Sequence, residues 1–237
     1  MRLHEISPEL RHDLESASVP EPVLKRHGYD LLGSGIDAAV VRQGDQPFVT
    51  KVFRSSSPYA DYVSYCRGHR SNPHVPVFFT QRQANAMSGI SGGHRSMVIE
   101  PAGRFSVVYM EELEPVSYQG LMALFRPEIY AMYLIGTKHG MRCFRHEADS
   151  AIRKDIIKKL GIKPDYVENI KELADNSEGW YELWAVLGHA PDDAWLGLCH
   201  DLVAIAKQSR GRIVLDLNED NVMLRDGSTL VITDPYA

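Results

Sequence analysis

Three residues near the C-terminal end of the sequence have the types and the spacing of a phosphoryl-transfer centre. Asp216 is followed five positions later by Asn221, and Asp234 closes an apolar run further along the chain. A carboxylate such as that of Asp216 can orient a hydroxyl group and accept its proton, while carboxylate and amide oxygens are ligands that Mg²⁺ accepts. The alternative is an acid-rich surface hairpin, because Asp226 and Gly227 form a strong turn signal.

A second group of candidate residues lies near the N-terminal end. Gly33, Ser34, Gly35 and Ala38 form a glycine-rich stretch between two predicted strands, and Lys51 lies on the next predicted strand. Glycines let a backbone approach phosphate groups without side-chain collision, and a lysine on the following strand can reach the α- and β-phosphates of a nucleotide. The alternatives are an ordinary glycine hairpin and an edge-strand lysine that points to solvent.

The elements that position these residues form a β-rich first half. Helices are predicted over 7–16 and 58–69, and the remaining segments predict strands with the sequences YDLL, DAAVVRQ, PFVTKVF, VPVFFTQRQ, SMVIEP and RFSVVYMEEL. The loop SGISGG separates two of these strands. Within the helix over 58–69, Tyr59, Val63 and Cys66 share one face, and Asp61 faces solvent.

The second half of the sequence has helical spacing from Tyr118 to about Gln208, and Asp192 or Asp193 caps the last helix. Strands then follow in RIVLDL, VMLRD and TLVITDP. We therefore predict an α+β fold with a β-rich lobe over 1–113, a helical lobe over 114–237 and a hinge near 111–114. Three tryptophans are predicted to lie in the core of the second lobe, namely Trp180, Trp184 and Trp195.

Composition narrows the class of protein. The 237 residues carry a formal net charge of −5, which argues against a general nucleic-acid binder, although a local basic patch is compatible with it. The three cysteines form no CxxC pair, and the ten histidines show no metal-binding spacing, which favours a reduced, cytoplasmic setting without a zinc site. No stretch of the sequence predicts a signal peptide or a membrane span, so we expect no membrane partner.

The chain resembles protein-kinase-fold proteins. More narrowly, it is similar to the early serine/threonine protein kinases of short-tailed bacteriophages that shut off host transcription. The segments that carry this resemblance are Gly28–Gly35 with Ala38-Ala39, Lys51-Val52, Tyr62–Arg67, Asp216–Met223 and Val231–Pro235.

The resemblance implies an ATP- and Mg²⁺-dependent enzyme with two lobes. Its implied metal centre has Asp216 as the catalytic base and Asn221 and Asp234 as Mg²⁺ ligands. The phosphates would lie under Gly33, Ser34, Gly35 and Ala38 and against Lys51. The adenine site would be formed by Val40, Val49, Met110 and the backbone of Glu111 and Leu113.

Several departures from the family pattern affect what the resemblance implies. Val214-Leu215 stand where protein kinases have His-Arg, so control through a phosphorylated activation loop is not expected. The helix over 58–69 contains no glutamate to pair with Lys51, and Glu100 is our suggested partner. The interval 111–215 is roughly twice as long as in a typical protein kinase, a feature shared with antibiotic and choline kinases.

The favoured interpretation is a serine/threonine protein kinase that acts in the host cytoplasm. Its expected substrates are bacterial host proteins, including the transcription machinery, and the chain itself. The first alternative is a small-molecule phosphotransferase of the aminoglycoside- or choline-kinase type. The second is a non-catalytic kinase-fold protein that inhibits a host enzyme by binding. Retention of Lys51, Asp216, Asn221 and Asp234 favours catalysis, since a binding scaffold needs none of them.

Overall fold

A computed structural model of the chain describes residues 8–35, 38–42, 44–93, 95–102, 104–138, 146–160, 184–185, 189, 192–208 and 221–236. The chain divides into two compact units. The first comprises Met1–Arg70 and Pro76–Glu112, and the second comprises Ser71–Val75 and Leu113–Ala237. The short segment 71–75, which the sequence placed in the first lobe, thus belongs to the second unit.

The first unit is built on an antiparallel sheet with strand order β1-β2-β3-β6-β4, in which β5 also pairs with β6. Its strands are β1 (Asp30–Ser34), β2 (Ala38–Arg42), β3 (Val49–Arg54), β4 (Phe78–Phe79), β5 (Ile99–Ala102) and β6 (Phe105–Met110). Its helices are α1 (Pro8–Ser16), α2 (Glu21–Arg26), α3 (Tyr59–Gly68) and α4 (Gln81–Met87).

One face of this sheet is buried against the two N-terminal helices. Leu10 and Leu14 of α1 and Leu24 of α2 pack with Val41 of β2 and Val52 of β3 in one hydrophobic cluster. All five side chains are fully buried. Burial of each such side chain stabilises the fold by roughly 1.5–3 kcal/mol, so α1 and α2 hold this face of the sheet in place.

Helix α4 is a correction to the prediction, which treated VPVFFTQRQ as one strand. The strand ends at Phe79, and α4 begins at Gln81. Thr80 Oγ1 accepts a hydrogen bond from Gln83 N at 3.2 Å, and Thr80 N donates to Gln83 Oε1 at 2.9 Å. This capping box satisfies backbone donors at the start of a helix, and its T-x-x-Q signature is present in the sequence.

The second unit contains helices and a small antiparallel sheet of order β7-β8-β9. Its helices are α5 (Tyr118–Leu124), α6 (Arg126–Lys138), α7 (His146–Leu160) and α8 (Asp193–Gln208). Its strands are β7 (Glu114–Pro115), β8 (Val222–Arg225) and β9 (Thr229–Ile232). Strand β7 was not predicted, and the predicted strand over 212–217 and most of the predicted helices over 166–189 lie outside the described residues.

The aromatic core of the second unit is confirmed for the two tryptophans that the structure describes. Trp184 is 1% exposed and Trp195 is fully buried. The indole Nε1 of Trp195 donates to the backbone carbonyl of Glu128 at 2.9 Å, which joins α8 to α6. The third tryptophan, Trp180, lies outside the described residues.

The segment 71–75 is bound to the second unit through His74. Its carbonyl accepts from Ile232 N at 3.1 Å, its Nδ1 lies 2.7 Å from the carbonyl of Leu230, and its Nε2 lies 2.9 Å from a carboxylate oxygen of Asp192. Arg225 donates to two carbonyls of the same segment at 2.5 and 2.9 Å. The imidazole of His74 thus joins the segment both to β9 and to Asp192.

The predicted fold class is confirmed. An antiparallel sheet dominates the first half of the chain, helices dominate the described part of the second half, and a hairpin closes it. Among the described residues no helix is long and apolar enough to cross a membrane.

Candidate functional site

The glycine-rich stretch forms the β1–β2 hairpin, as the sequence predicts. Gly33 lies opposite Val40, and Gly35 N donates to the carbonyl of Ala38 at 2.8 Å to close the turn. A Cβ atom added to Gly33 or Gly35 would meet no atom within 4 Å. The protein's own packing therefore does not require glycine here, and the surface beside this turn is open to a ligand.

The residues predicted to face a nucleotide share one face of the sheet. Directly opposed residues of antiparallel strands point to the same side. Val40 lies opposite Lys51, and Val49 lies opposite Met110. Because Val49 and Lys51 are two positions apart on β3, all four side chains point to the face away from α1 and α2.

Lys51 lies on an inner strand, since β3 is paired with both β2 and β6. Its side chain is only 5% exposed, so the interpretation as an edge-strand lysine that points to solvent is wrong. The ammonium group lies 3.6 Å from the centre of the Tyr59 ring. Burial of an ammonium group costs free energy, because the charge loses its contact with water. An aromatic face restores about 2 kcal/mol of this when water is excluded.

Helix α3 thus supplies an aromatic ring beside the ammonium group of Lys51. Tyr59, Val63 and Cys66 are each 1% exposed, and Asp61 is exposed, as the helical spacing predicts. The contact between Tyr59 and Lys51 was missed, because periodicity identified the buried face of α3 without its partners. The side chain of Glu100 lies outside the described residues, so its pairing with Lys51 stays a prediction.

The end of β6 is fixed by contacts on both sides of the backbone. Met110 Sδ accepts a hydrogen bond from the Tyr59 hydroxyl at 3.8 Å. Glu111 N donates to the carbonyl of Val77 at 3.0 Å, and Val77 N donates to the Glu111 carboxylate at 2.7 Å. These reciprocal bonds join Glu111, at the start of the predicted hinge, to the residue that precedes β4. Their position is consistent with the predicted adenine contacts, which remain predictions.

Ser34 has a partner that the sequence did not reveal. Its side chain is hydrogen-bonded to the carboxylate of Glu21, which also pairs with Lys25 at 2.6 Å. The hydrogen bond from Lys25, followed by that from Ser34, lowers the pKa of Glu21. Helix α2 is therefore tied to the glycine-rich hairpin through one carboxylate.

In the second unit, the two predicted metal ligands lie at the same end of the β8–β9 hairpin. Val222 and Ile232 are opposed in this hairpin, and Thr233 N donates to the carbonyl of Asn221 at 2.8 Å, which extends the ladder by one step. Asp234 is the next residue, and both predicted ligands are half-buried. The hairpin therefore brings a side-chain amide and a carboxylate to one end of one element.

The turn at the other end of the hairpin confirms the Asp-Gly signal. Asp226 and Gly227 have φ angles of 53° and 64°, and Ser228 N donates to the carbonyl of Arg225 at 3.2 Å. Both central residues of such a turn need positive φ, which explains the residue types. The alternative prediction, an acid-rich surface hairpin, fits this turn. The candidate metal ligands Asn221 and Asp234 lie at the opposite end of the hairpin.

The oxygen donors of Asn221 and Asp234 suit a hard cation such as Mg²⁺, which commonly takes one or two protein ligands and keeps substrate oxygens and water. The predicted base, Asp216, lies outside the described residues, as do its neighbours over 211–220. Within the described residues no group of three or more His, Cys, Asp and Glu side chains forms a metal site. The predicted adenine-contacting residue Leu113 begins the second unit, is 9% exposed and directly precedes β7.

Comparisons with known proteins identify no family. No family model matches the sequence. No curated protein matches it either. One solved structure that resembles the chain is that of the aminoglycoside phosphotransferase APH(2'')-Ib with ADP bound. The match covers 94% of this chain and 72% of the phosphotransferase chain, at 14% sequence identity and a TM-score of 0.29. A likeness of this degree carries no functional argument, so the proposals below depend on the residues and their geometry.

Proposed function

We propose that the chain is an ATP- and Mg²⁺-dependent phosphotransferase of the protein-kinase-like type. The observation that carries this proposal is the position of Lys51. It is buried on an inner strand and shares one sheet face with Val40, Val49 and Met110, beside an open glycine turn. A buried lysine among apolar side chains is costly for stability alone, and phosphate contact gives it a role.

In this proposal ATP supplies the phosphoryl group and Mg²⁺ neutralises its charge. Asn221 and Asp234 would hold the metal, and Lys51 and the turn formed by Gly33 and Gly35 would contact the phosphates. Asp216 orients the acceptor hydroxyl and takes its proton as that oxygen bonds to the phosphorus and the bond to the leaving phosphate breaks. Catalysis of this kind depends mainly on positioning and electrostatic stabilisation.

The proposed acceptors are serine and threonine hydroxyls of bacterial host proteins, the transcription machinery among them, with the chain itself as a further acceptor. This part of the proposal is supported by the resemblance to early bacteriophage kinases in the sequence. The proposed location of the enzyme is accordingly the host cytoplasm.

A small-molecule phosphotransferase is the second candidate, and one structural observation favours it. Helices α5 to α8 all lie between Met110 and Asp216 in the chain, where an inserted helical region can form a pocket for a small acceptor. A non-catalytic kinase-fold inhibitor of a host enzyme is a third reading. It leaves the buried Lys51 and the paired ligands Asn221 and Asp234 without a role.

Incubation of the purified chain with labelled ATP and Mg²⁺, alone and with bacterial lysate, tests the proposal. Asp216→Asn is the inactive variant, and Asp226→Asn is the matched control, because it makes the same change in the turn of the β8–β9 hairpin. We expect labelled protein bands that weaken by about 10²-fold or more in Asp216→Asn and persist in Asp226→Asn.

The other two functions give different results in the same experiment. ATP turnover that requires an added aminoglycoside or amino alcohol, without labelled protein, would support the small-molecule enzyme. Absence of any ATP-induced shift in thermal unfolding would support the non-catalytic inhibitor and contradict the proposed activity.

A further inference from the structure

A pocket in the first unit is lined by arginines and lies outside the candidate nucleotide site. Its volume is about 340 Å³, and its lining residues are Arg67, Arg70, Thr80, Gln83, Arg95 and Met97. We call these six residues the arginine pocket, and its three arginines come from two separate stretches of chain. Arg67 lies near the end of α3, and Arg70 follows that helix. Arg95 follows the loop with the sequence SGISGG.

The charge around this pocket is opposite to that of the whole chain. From Arg67 to Arg104 the sequence contains five arginines and a single acidic residue, Glu100, whereas the chain has a net charge of −5. Among the described residues, Arg67, Arg70 and Arg95 form no ion pair with a carboxylate. Three like charges that converge on one concavity repel each other, and an anion between them removes this repulsion.

The chemistry of the lining selects the kind of anion. Guanidinium groups are planar donors that bind phosphate oxygens in a bidentate manner. No aromatic side chain from the described part of the chain lines the pocket, which disfavours stacked bases and hence nucleotides or single-stranded nucleic acid. Thr80 Oγ1 and Gln83 Oε1 are engaged in the cap of α4, so the donors left for a ligand are the arginines and the side-chain amide nitrogen of Gln83.

The floor of the pocket is apolar. Met97 is 6% exposed, and its thioether chain offers contact to the short aliphatic part of a side chain. A concavity of about 340 Å³ accommodates one phosphorylated side chain with its neighbouring backbone and is too small for a nucleic-acid duplex. We propose that the arginine pocket binds a phosphorylated serine or threonine side chain of a protein partner.

This binding site is independent of the proposed catalytic activity. Joined with that activity, it would retain a protein that has already been phosphorylated, so that further hydroxyl groups of the same protein reach the enzyme. Clusters of arginine are a recurrent means of recognising phosphorylated peptides.

Binding to the full chain can be measured by fluorescence anisotropy with a labelled phosphothreonine peptide and its unphosphorylated twin. We expect the phosphorylated peptide to bind at least about tenfold more tightly, since each charge-assisted bond contributes on that scale. The preference should grow from pH 5 to pH 7.5, because the second phosphate ionisation has a pKa near about 6.

The variants Arg67→Gln, Arg70→Gln and Arg95→Gln should each weaken binding of the phosphorylated peptide by about tenfold. Arg95→Lys should weaken it as well, because a lysine keeps the charge and loses the bidentate geometry. Arg82→Gln is the matched control: Arg82 lies exposed on α4 in the same unit, does not line the pocket, and should change affinity little. Equal thermal stability of all variants excludes misfolding as the cause.

Three results would overturn the inference. The first is equal affinity for the phosphorylated and unphosphorylated peptides. The second is a loss in Arg82→Gln as large as the loss in Arg95→Gln, which would indicate general charge attraction. The third is displacement of the peptide by inorganic phosphate at concentrations near the peptide's own Kd, which would indicate a site for free phosphate only. None of these results depends on whether the chain transfers phosphate.

Discussion

The ammonium group of Lys51 lies 3.6 Å from the centre of the Tyr59 ring in a side chain that is only 5% exposed. Neighbouring positions on the same sheet face hold Val49 and Met110, each 5% exposed. An apolar residue of similar length would pack there without the desolvation cost of a charge. A lysine among these apolar side chains therefore indicates a functional role, and folding and activity can be measured separately in a variant.

The first prediction concerns Lys51→Met. Methionine keeps the length and the apolar packing of the side chain, so the chain should stay folded, while labelling by ATP should fall by about 10²-fold because the ammonium group is gone. Differential scanning fluorimetry and the labelling assay measure the two effects. Tyr59→Phe, which keeps the aromatic face, is the control and should retain most activity. A large loss of stability in Lys51→Met would show that the lysine is structural.

The second prediction concerns Gly35→Ala. The added Cβ meets no atom within 4 Å, and the smaller freedom of the unfolded chain should raise stability by roughly 0.4–1 kcal/mol. ATP affinity should fall, because the methyl group stands where phosphates approach. Gly93→Ala is the contrasting control, because its φ of 110° and a Cβ 2.8 Å from Asn85 Nδ2 should destabilise the fold. Unchanged ATP affinity in Gly35→Ala would count against the proposed phosphate contact.

The third prediction concerns Glu128, whose Oε2 is buried without a hydrogen-bond partner among the described residues. Burial raises the pKa of Glu128 above its ordinary value, so the ionised form is disfavoured in the folded state. The free energy of unfolding therefore decreases as pH rises from that ordinary value through the raised pKa.

Glu128→Gln removes this ionisation, so the variant should be more stable than the wild type at pH 7 to 8. The advantage should disappear at pH values below the ordinary pKa of a glutamate. Urea unfolding at several pH values measures it, with the exposed Glu15→Gln as control. A stability difference that is the same at every pH would rule out the buried carboxyl as its source.

At the scale of elements, Asp192 connects three parts of the second unit. Its Oδ1 accepts from Trp195 N at 3.0 Å and thereby caps α8, and its Oδ2 accepts from His74 Nε2 at 2.9 Å. The His74 ring in turn packs edge-on against the Trp195 ring, with centroids 5.2 Å apart. One carboxylate thus contacts both the start of α8 and the His74 ring that is bonded to β9.

The fourth prediction follows from this arrangement. Asp192→Ala removes a helix cap and leaves the buried His74 ring without its carboxylate partner, which should cost about 3 kcal/mol of stability. Asp193→Ala is the matched control. Asp193 lies in the first turn of α8, the cap bond to Trp195 N is made by Asp192, and the substitution should cost less than about 1 kcal/mol. Equal effects of the two substitutions, measured by denaturant unfolding, would contradict the assigned role of Asp192.

Much of the element order was predictable from the sequence, because it follows from local patterns. Strands β2 and β3 have adjacent β-branched residues, α3 has buried positions at helical spacing, and Asp192 precedes α8 as a cap. Helix α4 was misassigned because the apolar run before Thr80 outweighed a capping-box signature. The two-residue strand β7 and the contact between Tyr59 and Lys51 depend on pairing between distant segments, which periodicity does not contain.

At the scale of the whole molecule, the chain passes between the two units three times, after Arg70, after Val75 and after Glu112. The second unit is therefore discontinuous in sequence. Residues 71–75 provide acceptors for Ile232 N and for Arg225, and a donor for the Leu230 carbonyl. Removal of this segment would leave all of these backbone and side-chain groups without their partners.

The fifth prediction is that a fragment of residues 113–237 does not fold as the second unit does in the full chain. We expect loss of cooperative thermal unfolding, because several buried hydrogen-bonding groups of β9 would be unsatisfied. Circular dichroism measures this loss. A synthetic peptide of residues 68–78 should restore cooperativity in part, and the same peptide with His74→Ala should not. Cooperative unfolding of the fragment alone would contradict the prediction.

The bond between His74 and Leu230 also has a consequence for synthesis of the protein in the cell. The two residues are 156 positions apart. At about 5–20 residues per second, the ribosome needs on the order of ten to thirty seconds to reach Leu230 after it has made His74. During this delay the first unit can fold, whereas the segment 71–75 still lacks the residues of β8 and β9 to which it bonds in the folded chain. The second unit closes only when translation reaches its hairpin, so the candidate metal ligands are assembled last.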